Sequence, residues 1–135
     1  MPLVSRLTGP AVALGFGVVV LAGCGGGGSG ANGELQRVGA GLCAVRSQAA
    51  AHPNAAGVTF YDRSHAGLHT MASDLEVKGQ QAAAGRLLES MQRVEADIAA
   101  SPAPPSLAAD VGRLIAATRA GLDLLSVSPP ACMRP

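Results

Sequence analysis

The stretch that decides the fold is Glu34–Ala51, "ELQRVGAGLCAVRSQAAA". Leu35, Val38, Leu42, Val45 and Ala49 recur in it at spacings of three and four residues. On a helix that spacing gathers apolar side chains into one narrow stripe, and the stripe is buried only if another helix packs on it. A first helix over 34–51 therefore implies others.

The rest of the chain supplies three. "HPNAAG" at 52–57 is read as a break, because proline and glycine interrupt helices. A second helix is expected over about Val58–Val77, with Tyr61, Leu68, Met71 and Leu75 on one face. Lys78-Gly79 ends it with a cation and then a glycine. A third runs over about Gln80–Ala100 through Leu87, Met91, Val94 and Ile98, stopped by "SPAPP" at 101–105. A fourth starts with Ser106 as N-cap and reaches about Val127 through Leu107, Val111, Leu114, Thr118, Leu122 and Leu125. The tail, "SPPACMRP", is expected to be extended. Four helices joined by short loops predict an all-α, antiparallel up-down-up-down four-helix bundle over residues 34–135.

The opening of the chain is different in kind. "MPLVSRLTGP" carries one cation, Arg6, and "AVALGFGVVVLA" at 11–22 is uncharged and apolar. That is the order of an export signal, and the run falls short of the roughly 20 apolar residues a membrane-crossing helix needs. It ends in "LAGC" at 21–24, then "GGGGSG". The apolar run, the "LAGC" box and the glycines resemble the lipobox region of bacterial lipoproteins. The resemblance implies that residues 1–23 are a cleaved signal peptide and that Cys24 is acylated with diacylglycerol. It also implies an exported protein held on the cell membrane, or on the outer membrane if there is one. Residues 24–33 then form a glycine-rich tether, with a root-mean-square span of roughly 15–18 Å. Each buried methylene contributes about 0.8 kcal/mol, and two or more acyl chains are needed for stable attachment.

With Cys24 given to lipid, Cys43 and Cys132 remain. An even remainder in an oxidising compartment suggests a disulfide; two free buried thiols are the alternative. The bundle permits the bridge. Cys43 lies about 13 Å into the first helix, and the extended tail after Val127 reaches about 16 Å.

Composition limits the partners. Arg6 aside, nine basic residues balance nine acids. No basic stripe is present to neutralise phosphates, so nucleic acid is excluded as an expected partner. Trp is absent and Tyr occurs once, which disfavours ligands held by aromatic stacking.

One constellation has chemical potential. In "FYDRSHAGLHTMASDLE" at 60–76, His65 and His69 stand one turn apart. With Leu68 at zero, Asp62, His65, His69 and Glu76 fall at roughly 120°, 60°, 100° and 80° around an α-helix. Two imidazoles at i, i+4 chelate zinc, copper or nickel, with a carboxylate as third ligand or ring orienter. A facing helix can add Glu89 or Glu95. The leading reading of the same residues is an ordinary solvated flank, with Arg63 and Arg93 pairing the acids. No GxSxG, HExxH or P-loop is present, and the expectation is a non-enzymatic binding or accessory module of the cell envelope working with a protein partner. A metal-binding envelope protein using Asp62, His65, His69 and Glu76 is the alternative.

Overall fold

The computed structural model describes residues 27–134. The signal segment, Cys24 and the first two glycines after it lie outside the described residues. The described chain is a helical bundle, with no strand among the described residues. The elements are α1 (Gly27–Ala49), α2 (Pro53–Phe60), a π-helical turn (Tyr61–His65), α3 (Ala66–Val77), α4 (Gln81–Ala99), α5 (Leu107–Leu124) and a short 3-10 turn (Ala131–Met133). No helix among the described residues is long and apolar enough to cross a membrane.

α2, the π-turn and α3 form one unbroken rod. Phe60 (φ −61°, ψ −53°), Tyr61 (−66°, −39°) and His65 (−53°, −56°) keep right-handed helical backbone across both junctions. The described residues thus form four helical rods. α1 packs on α2, the π-turn and α5, while α4 packs on α3 and α5.

The core follows the stripes. Leu35, Val38, Leu42, Val45 and Ala49 of α1 are all buried, as are Leu87, Met91 and Val94 of α4 and Leu107, Val111, Leu114, Leu122 and Leu125 along α5. Thr118 is buried among them, and its hydroxyl donates to the Leu114 carbonyl at 2.8 Å, so no polar atom is stranded there.

Several boundaries differ from expectation. The described part of α1 already covers Gly27–Gly33, inside the stretch read as a tether. Once Leu35–Ala49 is fixed by packing, extending the helix backwards adds one hydrogen bond per residue ordered, without a new nucleus. The second helix starts at Pro53 rather than Val58, with the proline in its first turn, where its missing N–H has no helical partner to lose. α5 closes at Leu124 rather than Val127. The N–H of Val127 donates to the Leu122 carbonyl at 2.9 Å and that of Ser126 to Asp123 at 3.1 Å. These are the two bonds of a Schellman cap, with Ser126 at φ 59° in the left-handed position. α3 ends the same way, with Gly79 there at φ 76°.

The tail lies along α1. Cys43 and Cys132 are joined by a disulfide, Sγ–Sγ 2.09 Å and Cα–Cα 6.2 Å. Gln36 Nε2 donates to the Ser128 carbonyl and Arg46 Nη2 to the Cys132 carbonyl, both at 3.3 Å. Met133 is buried in the same seam.

Candidate metal centre

The π-turn sets the site. A π-turn winds more slowly than an α-helix and inserts an extra residue into the rod. The insertion turns Phe60 fully into the core and leaves Tyr61, read as a core residue, 48% exposed. Ser64 is buried and its hydroxyl donates to the Val38 carbonyl of α1 at 3.1 Å. The turn is thereby pinned to α1 on one side. His65, its last residue, emerges on the other side, toward α4.

There His65 Nε2 meets Glu95 Oε1 of α4 at 2.6 Å, with both side chains about 29% exposed. His69, one turn further along, is exposed and stands edge-on to His65, ring centroids 4.8 Å apart at 80°. One ligand atom each from His65, His69 and Glu95 lie within 4.8 Å of one another. Phe60 and Tyr61 border His65 at 5.7 Å and 5.1 Å between ring centroids. They wall the inner side of the imidazole and leave the His69 side open to solvent.

The donor set suits a borderline-soft divalent cation. Zinc binds imidazole nitrogen and carboxylate oxygen at about 2.0–2.2 Å, which separates tetrahedral ligand atoms by roughly 3.3 Å. The His65–Glu95 pair is tighter than that, so the direct hydrogen bond occupies the place where an ion would insert. Seating an ion would require the His65–Glu95 pair to part and the ligand atoms that lie up to 4.8 Å apart to draw together. Three protein ligands would leave a fourth position on the solvent side.

Two of the residues read as ligands are not in this group. Asp62, expected beside the histidines at 100° per residue, instead lines a cleft against α1 with Arg37 and Gly41, because the π-turn winds more slowly than an α-helix. Glu76 lies two turns beyond His69, about 10 Å along the axis, and is exposed near the end of α3. Of the two acids named on the facing helix, Glu95 joins the cluster. Glu89 is held instead by Arg93 at 2.7 Å. The π-turn itself carried no mark in the sequence reading.

No protein-family model, curated protein or solved structure matches this chain.

Proposed function

We propose that this is an exported, lipid-anchored envelope protein whose helical domain is a non-enzymatic module that binds a divalent transition metal through His65, His69 and Glu95. The observation that carries the metal reading is the convergence of these three ligand atoms from two packed rods within 4.8 Å. Histidines one turn apart on a helix arise often; a carboxylate delivered to them by a different helix does not follow from that spacing. The anchoring reading rests on "LAGC" at 21–24 and the apolar run before it, with Cys24 as the acylated residue. The Cys43–Cys132 disulfide supports an oxidising compartment. The short connections between the rods fit an antiparallel, up-down-up-down order.

The metal reading is tested by titrating zinc, copper and nickel into the full chain in detergent micelles, beside the His65→Ala/His69→Ala variant. One equivalent bound at sub-micromolar affinity and lost in the variant supports it. Equal weak binding by both proteins sinks it. The anchor is tested on the membrane fraction by mass spectrometry: a diacylglycerol adduct on Cys24 as the first residue is expected, and an unmodified thiol there would refute lipidation.

A further inference from the structure

On the opposite flank of the π-turn from His65 lies a second feature, a cleft of about 580 Å³ between the turn and α1. Its volume is in the range of small-molecule sites. Its floor is apolar and backbone-lined, made of Val38, Gly41 and Gly67. A Cβ on Gly41 would meet Ser64 Oγ and Arg63 Cβ, and one on Gly67 would meet Val38 Cγ2. The two glycines therefore let the rods touch and fix the cleft walls by direct backbone approach.

The rim carries Arg37 and Glu34 from α1 and Arg63 and Asp62 from the π-turn. Elsewhere among the described residues some such charges pair along their helix and others, Asp74 with Lys78 and Arg119 with Asp123, do not. Asp110 pairs with Arg113 at a spacing of three residues, and Glu89 with Arg93 at four. Glu34 and Arg37 have the same spacing as Asp110 and Arg113, yet among the described residues neither makes an ion pair or side-chain hydrogen bond. The same holds for Asp62 and Arg63. Two guanidinium groups and two carboxylates thus share one cleft without neutralising each other.

From this juxtaposition we infer that the cleft binds a small zwitterion, a short peptide with free ends. The guanidinium groups receive its carboxylate, which their planar fork fits better than a point cation would. Glu34 and Asp62 receive its ammonium group. The apolar floor and the Tyr61 ring receive its side chains. At about 30 Å³ per water the cleft holds roughly nineteen waters, a size that matches the heavy atoms of two or three residues.

The test uses leucyl-leucine as probe on the full chain in detergent micelles, read by calorimetry. N-acetyl-leucyl-leucine and leucyl-leucine amide, each with one end blocked, are the controls. Saturable binding of the free dipeptide is expected, at least tenfold weaker for either blocked form, and absent in Arg37→Ala/Arg63→Ala. Both arginines are exposed, so an unchanged circular dichroism spectrum is expected for that variant. The His65→Ala/His69→Ala variant is expected to bind the dipeptide unchanged, so the cleft and the metal centre fail or stand separately. No saturable binding of the dipeptide, or equal binding of the blocked forms, overturns the inference.

Discussion

His65 Nε2 and Glu95 Oε1 lie 2.6 Å apart, thirty positions away from each other in sequence, and join the rod that contains the π-turn to α4. That contact adds a carboxylate to a histidine pair on one helix, which on the proposed metal reading makes three candidate ligands. A metal ion and this hydrogen bond compete for the same atoms. Glu95→Gln keeps a partner for the imidazole but removes the anionic ligand. Metal affinity in Glu95→Gln is expected to fall at least tenfold, while the apo protein melts within about 2 °C of the parent. Calorimetric titration with zinc and a thermal scan without it check the two halves.

Acid should release the ion. Binding requires unprotonated imidazoles, so protons compete with the metal. Zinc affinity measured over a series of falling pH values should fall steadily. An affinity that stays flat over that series would exclude His65 and His69 as ligands.

Cys43–Cys132 closes a loop of 89 residues. In the loop-entropy account a bridge of that span stabilises by about 4–5 kcal/mol, and removal of native disulfides from small exported domains costs about 2–5 kcal/mol. The Cys43→Ser/Cys132→Ser variant should lose stability in that range in denaturant titration. A loss under 1 kcal/mol would mean that the tail contacts of Gln36, Arg46 and Met133 hold the seam unaided.

Ser126 occupies a left-handed position, φ 59°, where an L side chain costs roughly 1–2 kcal/mol. Glycine carries no such penalty but loses more backbone entropy on folding, about 0.5–1 kcal/mol. Ser126→Gly is therefore expected to stabilise by about 0.5–1 kcal/mol, seen as a raised Tm. The contrasting change, Gly79→Ala at φ 76°, should destabilise by about 1 kcal/mol.

Asp97 has its carboxyl pKa raised, first by desolvation and further by the neighbouring Asp110, against the lowering effect of the Ser106 hydroxyl that donates to it at 3.1 Å. A raised native pKa means the folded state holds this proton more tightly than the unfolded one. Its contribution is fully present below the unfolded value and is lost as pH rises through the folded value. Asp97→Asn should therefore remove a fall in stability in the window just above the ordinary carboxylate range. Urea midpoints of parent and variant across that window give the comparison, and parallel curves would assign the pH dependence to other groups.

The stripes of α1, α4 and α5 could be read from spacing because burial on a neighbouring helix demands a period near 3.6, whatever the neighbour is. Every apolar residue read into the α1 stripe is buried. In the second rod Phe60 rather than Tyr61 lies in the core, and Asp62 stands outside the group of His65, His69 and Glu95. Both departures have one cause: a uniform 100° per residue does not hold through Tyr61–His65, where the chain inserts a π-turn. That turn is favoured by what it allows Phe60, Ser64 and His65 to reach on α1 and α4, and those partners are remote in sequence.

What can be read from the sequence is local: the apolar stripes of α1, α4 and α5, the breaks between helices, an even pair of cysteines beyond Cys24, and two histidines one turn apart. Each follows from the geometry of a single helix or from the chemistry of a single residue type. Tertiary structure decided the rest. Whether Glu89 or Glu95 faces His65 depends on how far α4 is rotated and slid against α3, and no spacing within either helix encodes that. Arg93 captures one acid within its own helix, and packing delivers the other to the imidazole. The π-turn, the cleft behind it and the His65–Glu95 contact exist only because separate rods meet at fixed rotations set by their side chains.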